Sequence, residues 1–200
     1  MSEVRVLAFS GSARAGSYNG KLAALAARVA RELGAAVTSL DLRKLALPLY
    51  DAEIEAAGMP AGALELRRLL AQHDALLVAS PEYNGFPTPL LINAFDWASR
   101  PAAADGLPSG LGAMGGKVAG VMSASPGLLG GTRSLMFTRQ FLHNTLAMLV
   151  VPEQFALAQA NKAFDEHGEL LDLKHQQAVQ RVVASVVRVA GALKAGSGTG

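Results

Sequence analysis

Apolar positions along the chain follow two rhythms in turn. Residues 4–9 form a short apolar run that stops at a Ser/Gly cluster, and the next apolar positions, Leu22, Leu25, Ala26, Val29 and Leu33, recur at the spacing of one helix face. The first unit is therefore a strand, a tight loop and an amphipathic helix stopped by Gly34. Residues 37–42 read as a second strand running into the Pro-containing stretch 47–51, and a helix is expected over 60–73. A third apolar run, 75–79, ends at Ser80-Pro81 and precedes a helix over 88–98; its unbroken apolar character suits a central, buried strand. Residues 101–116, rich in Ala, Gly, Pro and Ser, make a long connection. The pattern then resumes with a strand at 118–123, a Gly-rich loop at 125–131, a helix at 133–149 and a strand at 151–157. Val179, Val182, Val183, Val186, Ala190 and Leu193 stripe one face of a last helix, and 196–200 reads as a flexible tail.

Strands alternating with helices on short connections imply an α/β fold: a doubly wound, five-stranded parallel sheet of flavodoxin-like type, with helices on both faces, forming one domain over 1–195. In such sheets a ligand sits beyond the carboxyl ends of the strands, where strand order reverses. The loops after the first, third and fourth strands are where function is expected.

Composition narrows the classes. Of 200 residues, 50% are hydrophobic and 17% charged, which supplies one core and excludes disordered and collagen-like chains. The formal charge of +2 gives no ground for a nucleic-acid partner. With no cysteine, disulfides, thiolate nucleophiles, iron–sulfur clusters and Cys-based zinc sites are impossible. His73, His143, His167 and His175 are scattered without ligand spacing, so no metal site is expected. The apolar stretch after Glu3 and Arg5 is too short for a secretory signal, and longer apolar runs are broken by charge or proline. A cytoplasmic protein with no membrane partner is the expectation.

The first loop, from Ser10 through Gly11, Ser12, Arg14, Ser17 and Tyr18 to Asn19, places hydroxyls, free N–H groups and one cation at a helix N-terminus, an arrangement suited to an anion. It lacks the glycine spacing of dinucleotide loops and the Gly-Lys-Ser/Thr ending of triphosphate loops, so a single terminal phosphate fits better; helix capping with a solvated Arg14 is the competing reading. The second loop carries Pro81, Glu82, Tyr83, Asn84, Gly85, Phe86, Pro87, Thr88 and Pro89, with Asn93, Asp96 and Trp97 following on the helix. Its prolines stiffen a backbone path suited to edge-on hydrogen bonding of a flat heterocycle flanked by Tyr83 or Phe86. A stiff turn with buried aromatics explains the same residues, and capping or ion pairing explains Glu82 and Asp96. The third loop holds Ser123, Ser125, Pro126, Gly127, Gly130, Gly131 and Arg133, whose glycines allow either close approach to a planar ligand or a flexible connection to the next helix.

Taken together these pieces resemble the NADPH-dependent FMN reductases of flavodoxin-like fold, which include quinone, chromate and azo-dye reductases. The resemblance rests on Gly11-Ser12-x-Arg14-x-x-Ser17-x-Asn19, Leu47-Pro48-Leu49-Tyr50-Asp51, Pro81-Glu82-Tyr83-Asn84-Gly85 with Asn93 and Asp96-Trp97, and Ser125-Pro126-Gly127 with Gly130-Gly131. It implies a cofactor-binding set in which Ser10, Ser12, Arg14, Ser17, Tyr18 and Asn19 surround the FMN phosphate. Pro81, Glu82, Tyr83, Asn84 and Gly85 would line the isoalloxazine and ribityl, and Ser123, Ser125, Pro126, Gly127 and Gly130 would close over the ring's other edge. The chain departs from the usual pattern at 86–89, where the family more often has Ser, an aliphatic residue, Pro and Gly, and at Ile92, which replaces a frequent Lys.

The implied activity is NAD(P)H oxidation by a ping-pong route, with NADPH or NADH as donor and a quinone, free flavin, chromate or azo compound as acceptor. The flavin carries that chemistry, no acid–base residue is named, and backbone N–H groups of the second or third loop are the candidates for stabilising its reduced form. Arg100 and Arg133 are the cations available for a 2′-phosphate. Leu135, Leu142, Leu146 and Leu149 form one stripe of the 133–149 helix, and Phe137, Phe141 and Met148 another; a helix apolar on two faces is either deeply buried or a subunit contact, and the resemblance, to a family whose members are commonly dimers or tetramers, implies a homodimer or homotetramer. The alternatives are a flavodoxin-type electron carrier and a flavin-free regulatory member.

Overall fold

The computed structural model describes residues 3–100, 106–108 and 110–196. Of the tail expected over 196–200, Gly196 is the last residue of the final helix, and 197–200, with part of the 101–116 connection, lie outside the described residues. Five parallel strands, β1 (Arg5–Ser10), β2 (Ala36–Leu40), β3 (Ala75–Ala79), β4 (Val118–Ala124) and β5 (Leu149–Leu157), lie in the order β2-β1-β3-β4-β5. The chain moves outward from β1 to β2, then crosses back to β3 and onward, so strand order reverses beside β1. This is the flavodoxin-like sheet expected from the alternation of strands and helices.

Alternate residues of each strand feed two separate cores. Val6, Ala8, Leu77 and Met122 face α1 (Tyr18–Glu32) and α6 (Leu173–Gly196). Leu7, Phe9, Val78 and Val121 face α3 (Ala61–Gln72), α4 (Pro89–Ala98) and α5 (Thr132–Gln140). A sheet covered on both faces has no polar side, which is why 75–79 is apolar at every position. Gly120 lets α6 press onto the sheet: a Cβ there would stand 2.7 Å from the Val186 side chain.

Two expectations need correction. The helix drawn over 133–149 ends at Gln140; a π-helical turn, Phe141–Thr145, and a left-handed Ala147 (φ 55°) follow, and β5 begins at Leu149. Leu149 N–H donates to Lys117 O at 2.8 Å, so the Leu-Val-Val run joins the sheet rather than the helix. Pro152 then sits where the register slips between Ala119 and Val121, an irregularity on an edge strand that accommodates a residue without an N–H. A short helix, α2 (Ala52–Ala57), also lies in what reads as loop, started by Asp51, which accepts from Glu53 N–H at 2.7 Å.

The sheet positions the site. The last register pairs, Ser10 with Ala79 and Ala79 with Met122, end their strands nearly level. The ladder continues one residue into each loop, with Gly11 N–H to Ala79 O, Ser80 N–H to Met122 O and Ser125 N–H to Leu157 O, each 3.0 Å. Among the described residues no helix is long and apolar enough to cross a membrane.

Candidate functional site

The first loop is wound by its own side chains. Ser10 Oγ accepts from Ser12 N–H at 3.1 Å, Ser12 Oγ from Arg14 N–H at 3.3 Å, and Ser17, the N-cap of α1, from Gly20 N–H at 2.9 Å. That cap leaves the N–H groups of Tyr18 and Asn19 with no acceptor among the described residues, at the positive end of a fifteen-residue helix. The Arg14 guanidinium lies 5.2 Å over the Tyr18 ring and has no carboxylate partner among the described residues. Tyr18 is held in turn by stacking on Phe164 at 6.5 Å. Asn19 is different: Nδ2 donates to Ala124 O at 2.8 Å while Oδ1 accepts from Ala124 N–H at 2.9 Å, both buried. Its side chain braces α1 against the end of β4 instead of reaching a phosphate.

The second loop contains a two-residue hairpin. Tyr83 and Phe86 exchange both backbone hydrogen bonds at 3.0 Å around Asn84 (φ 52°) and Gly85 (φ 86°), the left-handed pair that an Asn-Gly hairpin turn requires. Thr88 Oγ1 donates to Gly11 O at 2.6 Å and accepts from Leu91 N–H at 3.3 Å, locking this loop to the first while capping α4. The Glu82 carboxylate is engaged by α5: it accepts from Arg133 Nε at 2.8 Å and from Ser134 N–H at 3.2 Å, capping that helix across the cleft. Burial pushes this carboxyl up, but the hydrogen bonds from Arg133 and Ser134 outweigh it and hold it below its ordinary range. Arg133 is thereby paired, and Arg100 is committed to Asp96 O at 2.7 Å, to Ser99 Oγ and to the Tyr50 hydroxyl and ring. Burial raises the Asp96 carboxyl, with Arg100 partly opposing. Asn93 accepts from Tyr50 N–H at 2.7 Å and donates to Pro48 O at 2.8 Å, and Trp97 Nε1 donates to the same carbonyl at 2.8 Å. The 47–51 motif is thus clamped to α4.

In the third loop Ser125 Oγ accepts from Gly127 N–H at 3.1 Å, forming another tight turn. Packing requires glycine at 130 and 131. A Cβ at Gly130 would meet the β5 backbone at 2.8 Å, and one at Gly131 would fall 1.9 Å from Ser123 Oγ. Ser123 is fully buried beneath Gly131 with an unpartnered hydroxyl, so it does not face the cleft as expected.

The three loops meet around a cleft of about 220 Å³ lined by Ser12, Arg14, Ser17, Tyr18, Asn19, Pro81, Glu82, Tyr83, Ser125 and Pro126. Asn84, Gly85, Gly127 and Gly130 do not line it. Ser10 opens on a second cleft of about 380 Å³ on the β2 side, which shares Ser12, Arg14 and Ser17 with the first and adds Lys21, Asp41 and Arg43. Arg43 carries no motif signal, because only the β1–β2 pairing brings it to Ala13 O at 3.4 Å; it is bound to Asp41 at 2.7 Å, whose carboxyl it lowers by hydrogen bonding.

Comparison with known proteins decides the family. Residues 4–162 match the NADPH-dependent FMN reductase profile. The chain belongs to that family. It is 35% identical over 184 residues to an NAD(P)H-dependent FMN reductase of Pseudomonas aeruginosa, covering 90% of this chain and 91% of that one. It is 33% identical over 178 residues to a quinone reductase of Escherichia coli, covering 86% and 88%. Among solved structures, FerB, a flavoenzyme NAD(P)H:(acceptor) oxidoreductase of Paracoccus denitrificans, superposes with a TM-score of 0.78 at 27% identity over 94% of this chain and 97% of that one. The fold, the enzyme class and the pairing of FMN with NAD(P)H expected from the resemblance are those of the family, and the flavodoxin-type carrier is set aside.

The Glu82 bond network yields a pH signature. Its folded carboxyl titrates below the ordinary value, so its stabilisation is complete above the unfolded range near 4.5 and is lost as pH falls through the lowered value. Glu82→Gln is expected to lower unfolding free energy in urea by about 1 kcal/mol at pH 7, with the difference vanishing in acid. A difference that persists in acid would show that Glu82 acts through shape and not charge.

Proposed function

We propose that the protein holds FMN across the three loops and passes electrons from NAD(P)H to a small acceptor, foremost a quinone, in the cytoplasm. The observation that carries this reading is the unpaired Arg14 guanidinium beside the free Tyr18 and Asn19 N–H groups, where the loops converge. These groups fit a phosphate: charge, donors and helix dipole act together, and small Ser12 and Ser17 leave room for the oxygens. At about 220 Å³ the cleft lies below the roughly 300–1,000 Å³ of enclosing ligand sites, which suits anchoring one end of FMN and leaving a ring face open. Tyr83 and Pro81 would border the ring, and Ser125 with Pro126 its opposite edge.

When bound, FMN supplies hydride acceptance from nicotinamide and two-electron delivery to the acceptor. The chain's part is anchorage through Arg14 and the α1 N-terminus, a fixed hairpin at the ring, and backbone N–H donors for the reduced form. Quinone is the favoured acceptor because of the Escherichia coli relative and because unpaired cations other than Arg14 are not found in the cleft among the described residues. Arg14→Ala is expected to weaken FMN binding at least about tenfold, since a charge-assisted hydrogen bond contributes roughly 1.5–3 kcal/mol. Fluorescence titration with FMN measures it, and unchanged affinity removes Arg14 from the site.

The protein is further proposed to act as a homodimer or homotetramer. Of the two apolar stripes on the 133–149 segment, Leu135, Leu142, Leu146 and Met148 are buried and Phe141 packs on Phe95, which leaves Phe137 39% exposed and Leu149 exposed on β5; Met136, on neither stripe, is 61% exposed on the outer side of α5. That outer side supports a subunit contact. Met136→Asp is expected to give folded monomers in sedimentation; an unchanged oligomer would place the contact elsewhere.

The reading as a whole is tested by mixing purified protein with excess FMN, desalting, and adding NADPH or NADH without oxygen. Retained flavin absorbance that bleaches with either donor is expected. Retained flavin that neither bleaches would overturn the reductase reading.

A further inference from the structure

On the far side of the Tyr83–Phe86 hairpin, between α4 and α5, lies a groove of about 360 Å³. We infer that this groove is a specificity subsite for the apolar substituent of an alkylated quinone whose ring is reduced at the flavin. The inference rests on the proposed flavin reading.

Continuity with the cleft comes first. Tyr83 and Phe86 oppose each other as a doubly hydrogen-bonded pair, so their Cα atoms are about 5.5 Å apart and their side chains share one face. Tyr83 lines the anchoring cleft and Phe86 the groove, which puts the two one side chain apart. A substituent on a ring bound at Tyr83 has this groove within reach across Phe86.

The lining is the second observation. Phe86, Ile92, Phe137 and Phe141 supply its walls, with neutral Gln140 and Asn144 at the rim and no charged side chain. An oxyanion finds no counter-charge there, whereas a hydrocarbon chain loses nothing on entering. Phe86 and Phe137 stack at 4.4 Å yet stay 55% and 39% exposed, leaving aromatic area on offer beside the site. The π-helical turn Phe141–Thr145 borders the same groove, and such turns recur at functional sites.

The test is a series of 2-alkyl-1,4-benzoquinones, from unsubstituted to decyl, reduced by the FMN-loaded enzyme with NADPH. Each methylene taken from water contributes about fourfold, so kcat/KM is expected to rise more than tenfold along the series, chiefly through KM. Ile92→Lys and Phe137→Ser should abolish the rise and leave the unsubstituted quinone within twofold of wild type, while Ile92→Leu keeps it. Independently of turnover, calorimetric titration with a redox-inert decyl-1,4-dimethoxybenzene should show binding with negative heat capacity change to wild type and not to Ile92→Lys. A flat series with normal flavin bleaching overturns the subsite and leaves the reductase reading standing; loss of flavin bleaching overturns that reading itself. A rise that survives both variants places the substituent elsewhere, and variants that change only the sedimentation coefficient show the groove to be covered by a second copy.

Discussion

The site depends on one buried exchange of hydrogen bonds. Asn19, in the first turn of α1, gives and receives a bond with Ala124, the last residue of β4 and 105 positions away. Ala124 stands where the strand runs out of neighbours for its polar backbone, and an amide side chain is the group that can satisfy both an N–H and a C=O at once. Buried and therefore strong, the pair fixes the start of α1 relative to the far loop across the intervening strands. The direction of the free Tyr18 and Asn19 N–H groups, and the place of Arg14 beside them, follow from it.

Thr88 repeats the device between the first and second loops through Gly11, and Glu82 between the second loop and α5. Each loop is thus tied to its neighbour by a polar side chain whose partner is backbone. The result is a cleft edged by small hydroxyls and helix N–H groups, in which Asn19, Thr88 and Glu82 are committed to the chain itself and Arg14 keeps no carboxylate partner among the described residues. A flavin enzyme tolerates this division, because its protein has to orient and anchor more than it has to exchange protons.

Much of the fold was legible because the sheet is covered on both faces: every central strand had to be an apolar run, and every run ended at a loop of small residues. The end of α5 was not, since Leu142, Leu146 and Leu149 continue a helical spacing through a π turn and a left-handed Ala147, features of backbone geometry with no signature in hydrophobic pattern. α2 went unread because it buries no apolar face, although Asp51 and Gly58 bracket it as cap and stop. At the site, Ser12, Arg14, Ser17 and Tyr83, far apart in sequence, line one cleft. Asn19, Glu82, Ser123 and Gly130 illustrate the limit: the residue types that bind a ligand are also those that hold loops together, and only geometry separates the two uses. Arg43 lay beyond any motif, because its nearness to the first loop is a product of strand order.

The irregularity at Pro152 bears on how copies of the chain can meet. β5 is an edge of the sheet, and a flat edge strand offers a row of donors and acceptors to any other strand that drifts past. A residue without an N–H, seated in a register slip, breaks that row in its middle and twists the edge away from a straight template. Open-ended strand addition, the route to fibrous aggregates, is thereby hindered on this side of the sheet.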